Sequence, residues 1–199
     1  LMVAVVLTLA ASTLALKFAN NPGAPLAQTA LTQRKLHRIE KALQAFCFSH
    51  NNTLPDPANG ALSEDVAQAG VSNFATPVAN RVLPWRTLGL TAEEGRDAWG
   101  RKFTYATGPN VDGLPALWVV VSHGPSGLGG WLVAMSPQAA LRQPPFPPVS
   151  ASEANNMQGP FQKRPANAPL GMLAATDPAH FDDILMYATT GAGCHWSVR

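Results

Sequence analysis

Cysteine and histidine come together twice in this chain, as Cys47-x-x-His50 and as Cys194-His195. Four soft ligands of this kind could close a metal site. One pair is adjacent in sequence, however, and neither spacing is that of the known zinc modules. Cys47 and Cys194 could instead form a disulfide in an oxidising compartment, or remain two free thiols. A second group of candidates lies in the loop His123-Gly124-Pro125-Ser126-Gly127. His123 and Ser126, with Asp97 or Asp182 as the third member, would be the material of a hydrolytic triad. The nucleophile elbow requires Gly-x-Ser-x-Gly, and the glycines here are differently spaced. They also miss the phosphate-cradling patterns. A turn histidine hydrogen-bonded to backbone is the better reading of His123. Asp182-Asp183 is a carboxylate pair that could contribute to a calcium site, which needs six or more oxygens, but no further ligand pattern accompanies it. Trp85, Trp99, Trp118 and Trp131 read as core and turn anchors rather than a sugar-stacking platform. These motifs point to no catalytic residues, no cofactor and no enzyme.

The elements that would position these residues begin with an apolar run, residues 1–16, ended by Lys17. It is shorter than the ~20 residues that span a bilayer as a helix, and it lacks the basic leader of a signal peptide. Asn20-Asn21-Pro22-Gly23-Ala24-Pro25 then breaks any helix, since proline and glycine both disfavour a helix interior. From 26 to 49 the spacing predicts an amphipathic helix: Leu36, Ile39, Leu43 and Phe46 recur every three or four residues, one face to bury. Residues 58–96 are polar and irregular. Phe103 and Tyr105 alternate with polar neighbours after the turn formers Asp97 and Gly100, which predicts a half-buried strand. Residues 116–122 are the strongest strand, and the loop 123–130 is expected to return the chain into 131–135 as its antiparallel partner. Nine of the 18 prolines fall between 137 and 178, so that stretch reads as a surface excursion without regular structure. A short apolar element follows at 181–187.

The net charge of +2 conceals a basic cluster: Lys17, Arg34, Lys35, Arg38 and Lys41 surround Glu40 alone. Such a cluster could meet anionic headgroups, although a helix packed on its own domain explains it better. The rest of the chain is nearly balanced, and nucleic acid is not an expected partner.

In order along the chain, these pieces resemble the type IV pilin-like proteins of the prepilin-type cleavage/methylation class, which include the type II secretion pseudopilins. The resemblance is carried by the apolar start, the basic helix with Gln33-Arg34-Lys35, and the helix exit Leu54-Pro55-Asp56-Pro57-Ala58. Further along come Leu83-Pro84-Trp85-Arg86-Thr87-Leu88-Gly89, Asp97-Ala98-Trp99-Gly100, Val121-Ser122-His123-Gly124-Pro125-Ser126-Gly127 and Phe181-Asp182-Asp183-Ile184. It implies an α+β fold in which a long N-terminal helix, apolar then amphipathic, packs on a small antiparallel sheet with a proline-rich loop excursion. Residues 1–19 would be the membrane anchor and filament core, 20–25 a break, and 26–199 the globular domain.

The implied function is that of a non-enzymatic minor pilin or pseudopilin, held in the bacterial inner membrane as a single-pass protein before filament assembly. Its globular domain would face the periplasm or the exterior. Val3, Val5, Val6, Leu7, Leu9, Leu14 and Leu16 would make the membrane and filament contacts. Leu36, Ile39, Leu43 and Phe46 would hold helix to sheet. The partners implied are other subunits, the assembly machinery, membrane lipid, and a prepilin peptidase acting on the full-length precursor. The sequence is then expected to be N-terminally truncated, with a leader ending in Gly and a Glu just before Leu1. The alternative, from a different class, is a membrane-tethered envelope binding domain that never polymerises.

Overall fold

The computed structural model describes residues 24–134, 138–144, 147–164, 177, 179–189 and 193–199. The apolar-contact residues from Val3 to Leu16 lie outside them. Helix α1 spans Ala24–Ser49 and so begins two residues before the expected start. Pro25 falls in its first turn, where a missing N–H has no helical partner to lose. One face is buried at Thr32, Leu36, Ile39, Leu43 and Cys47, spacings of four, three, four and four that follow the helical repeat. Phe46 departs from expectation. It is only half-buried, and its ring stacks on His50 with centroids 3.7 Å apart, while Cys47 takes the next core position. The helix stops where Asn51 and Asn52 enter positive φ, a conformation asparagine tolerates better than most residues. There the Asn52 N–H returns to the Cys47 carbonyl at 3.0 Å.

The strands are β1 (Ala58–Asn59), β2 (Arg81–Val82), β3 (Thr104–Thr107), β4 (Asn110–Val111), β5 (Leu114–Pro115), β6 (Trp118–Ser122), β7 (Ile184–Thr189) and β8 (Ser197–Val198). Six of them form one sheet in the order β1-β2-β3-β6-β7-β8, every pair antiparallel. Strands β4 and β5 make a separate hairpin. The protein is therefore α+β: one long helix and a predominantly antiparallel sheet.

Strand β6 is buried along its whole length because both sheet faces are covered. Trp118 and Val120 join Leu36, Ile39, Leu43, Phe103, Tyr105 and Met186 under the helix. On the opposite face Val119 and Val121 pack with Ala106, Val111, Phe161 and Tyr187. An uninterrupted apolar strand is what two covered faces require.

Two expectations are corrected. Residues 131–134 do not pair with β6, because its two edges are taken by β3 and β7; Trp131 forms only isolated bridges, to Lys102 and Arg142. The proline-rich excursion is also partly regular. A short helix α2, Ala151–Asn156, lies within it with Glu153 and Asn156 buried.

Candidate functional site

Strand β6 ends at Ser122, and the loop 123–130 that follows is folded over polar groups. Gly124, Gly127 and Gly129 all have positive φ, which L side chains adopt only with strain. At Gly124 the constraint is also steric: a Cβ there would sit 2.1 Å from the Asp182 carbonyl oxygen. Arg101 extends beneath the loop, donating to the carbonyls of Gly124 at 3.2 Å and Ser126 at 3.1 Å. Its own backbone N–H is held by Asp97, whose Oδ1 accepts from Trp99 and Arg101 at 2.9 Å each. Asp97 Oδ2 accepts from the Ser122 hydroxyl at 2.8 Å. The Asp97–Gly100 turn thus ties the start of β3 to the end of β6. Burial pushes the Asp97 carboxyl above its ordinary value, against the lowering effect of these hydrogen bonds.

Next to this turn three carboxylates and two histidines converge. His123 is fully buried; its Nε2 lies 2.8 Å from Thr104 Oγ1 and its Nδ1 3.5 Å from Asp183 Oδ1. Asp183 Oδ2 accepts from Asn156 Nδ2 at 2.9 Å. Asp182 faces elsewhere, accepting the Ser126 N–H at 2.7 Å and the Ser126 hydroxyl at 2.9 Å. Glu153 is fully buried, and its Oε1 accepts the Asp182 N–H at 3.0 Å. His180 Nε2 lies 3.4 Å from Glu153 Oε1 and 3.7 Å from Asp182 Oδ2. Burial first, and the charge of Asp183 second, push the Glu153 carboxyl up to about 9. Asp183 is raised as well, chiefly by burial. Removal from water penalises the charged form of a carboxylate, and so does a like-charged neighbour.

No family model, curated protein or solved structure matches the chain. The geometry therefore has to speak for itself. The triad candidates do not line up as Ser–His–Asp: Ser126 bonds Asp182 directly, His123 meets Thr104 and Asp183, and Asp97 accepts from Ser122. Cys47 and Cys194 form a disulfide, with Cα atoms 5.7 Å apart. This leaves no pair of thiolates for the Cys/His metal site: His50 stacks on Phe46, and His195 meets Phe48 edge-on. The basic face of α1 is partly spent within the domain, since Lys35 pairs with Glu93 and Arg38 with Glu94. Sequence reasoning singled out Asp182-Asp183 and His123 but missed Glu153, Asn156 and His180. The available signal was faint: Glu153 and Asp177 are the only acids between 137 and 178.

Proposed function

We propose that this chain is a non-catalytic subunit of an envelope filament of the type IV pilus or type II secretion kind, a minor pilin or pseudopilin anchored in the inner membrane before assembly. The observation that carries the reading is the way α1 is used. From Thr32 to Cys47 it is bound to the sheet by a regular buried stripe, whereas Leu26 is 74% exposed and Leu31 40%. A helix of 26 residues is about 39 Å long, and the domain covers only its C-terminal part. Its N-terminal turns, partly covered at Gln28 and Thr29, lead back in sequence toward the apolar run 1–16. A helix anchored at one end and apolar beyond the other suits a subunit held first by lipid and then by neighbouring helices. The Cys47–Cys194 disulfide fits an oxidising compartment such as the periplasm. Among the described residues no helix is long and apolar enough to cross a membrane, so the anchoring role rests on the sequence of residues 1–16.

The test is Val6→Asp in the full-length precursor, with filaments sheared from cells and subunits quantified by immunoblot. A charge in the anchor costs about 2.5–3.5 kcal/mol of insertion and would be buried among helices in a filament. Loss of stable anchoring or of incorporation is the expected result, and normal incorporation would refute the role. A wild-type chain that stays in the membrane and never enters filaments would favour the tethered binding domain.

A further inference from the structure

The buried polar cluster holds a second feature, independent of any filament role. Glu153 comes from α2, while His180 and Asp182 come from the segment leading into β7. One ligand atom from each lies within 4.8 Å of the other two. We propose that Glu153, His180 and Asp182 bind a divalent transition-metal ion of the zinc class, which fastens the proline-rich excursion to the end of the sheet.

The two spacings at His180 are close to those of ligands around an ion and longer than those of direct partners, and the two carboxylates lie within 4.8 Å of each other. Zinc takes nitrogen and carboxylate oxygen at about 2.0–2.2 Å in a tetrahedron, which puts neighbouring ligand atoms about 3.3–3.6 Å apart. His180 Nε2 stands 3.4 Å from Glu153 Oε1 and 3.7 Å from Asp182 Oδ2, both longer than the usual charge-assisted hydrogen bond. A separate observation also asks for a cation. Glu153 is wholly buried, and among the described residues its second oxygen, Oε2, has no hydrogen-bond partner. A buried carboxylate oxygen without a partner is costly. The carboxylates are already oriented by backbone N–H donors, Asp182 N to Glu153 and Ser126 N to Asp182, as outer-shell groups orient ligands in metal sites.

The donor set selects the ion. One imidazole with two carboxylates suits zinc and its first-row neighbours, whereas calcium asks for six to eight oxygens. Water would complete the coordination. With His180 and Glu153 both sealed from solvent, the ion acts as a clamp between two segments.

The experiment uses the full chain in a non-ionic detergent, stripped with chelator and titrated calorimetrically with Zn2+ and, separately, with Ca2+. Expected are one Zn2+ per chain with Kd below about 1 µM, and a rise in Tm of about 5 °C or more at saturation. Glu153→Gln, nearly isosteric, should weaken binding at least about 100-fold, since loss of an outer-shell group alone costs 10–100-fold. His50→Ala, remote from the cluster, should bind like wild type. Absence of Zn2+ binding by the folded wild-type chain overturns the proposal. So does binding of Ca2+ in preference to Zn2+, or Zn2+ binding that Glu153→Gln leaves intact, whatever His50→Ala does.

Discussion

Replacing both half-cystines by alanine, in a Cys47→Ala/Cys194→Ala chain, should cost a large share of the domain's stability while leaving its native structure nearly unchanged. The bridge closes a loop of sequence separation 147, which contains every strand of the sheet but β8. In the chain-entropy treatment a loop of that size removes about 17 cal/mol/K from the unfolded ensemble, or about 5 kcal/mol at 25 °C. Both residues are buried, so trimming each sulfur adds a further loss of order 1 kcal/mol. The folded state keeps other ties at this end. Gln44 Nε2 donates to the Cys194 carbonyl at 3.2 Å, and Phe48 still meets His195. Most of the cost should therefore fall on the unfolded side of the equilibrium. Urea unfolding of the full chain in non-ionic detergent, followed by the fluorescence of its five tryptophans, reads this directly. At about 2–2.5 kcal/mol/M the midpoint should fall by about 3 M, and reduction of the wild-type chain, which keeps both sulfurs, should lower it by about 2 M. A near-UV circular dichroism spectrum matching wild type would place the effect in the unfolded chain. A loss below about 1 kcal/mol with that spectrum preserved would refute the loop-entropy argument.

Two smaller predictions concern the helix face and the turn beneath β6. Leu43→Ala should destabilise by about 2–5 kcal/mol, because Leu43 is fully enclosed by the core under the sheet, while Phe46→Ala should cost less than about 1.5 kcal/mol; equal losses in the same urea assay would contradict the placement of the stripe. Asp97 has a folded-state pKa above its ordinary 3.8, so the folded chain binds the proton more tightly and stability must fall as pH rises from 3.8 through the raised value. Asp97→Asn keeps an acceptor for Trp99 and Arg101 and offers a donor to Ser122; unfolding midpoints across that window should therefore flatten, and an unchanged slope would count against Asp97 as its source.

What the sequence disclosed follows from which interactions are periodic. The buried face of α1 repeats every three or four residues, and Leu36, Ile39 and Leu43 could be named from that alone. Phe46 and Cys47 both satisfy the spacing from Leu43, one at i+3 and the other at i+4. The bridge to Cys194 lies 147 residues away in sequence, so local pattern could not choose between them. Strand β6 was legible for a similar reason, as an apolar run with no polar face to expose. Its partner was not. A glycine-rich loop followed by another apolar run reads as a hairpin, but pairing depends on which edges are free, and β7 arrives from residue 184 to take that edge. The cluster was hardest to see because its members share no spacing. Asp182 and Asp183 stand together in sequence yet serve different partners, Ser126 and Glu153 for one, His123 and Asn156 for the other.

The two sides of the sheet are secured by different physics, and this assigns the excursion a role. On one side an apolar stripe and a covalent bridge hold α1. On the other side Phe161 and Val111 supply apolar contact, but α2 is positioned by charged and polar groups: Glu153 on the Asp182 N–H, Asn156 on Asp183 and on the Gln162 backbone. Apolar contacts are nondirectional, whereas a buried polar network has few satisfactory arrangements and is costly when incomplete. Residues 151–162 of the excursion are therefore held in one register against the sheet, and residues that composition alone would leave as a loose appendage form part of the domain's second layer. A binding role for that stretch would have to use its outward surface, because Glu153, Asn156, Met157 and Phe161 are already committed inward. Exposed apolar side chains occur on both parts, Leu26 and Leu31 on α1 and Leu141 and Val149 on the excursion, so the inward commitment of α2 leaves each an outward apolar surface.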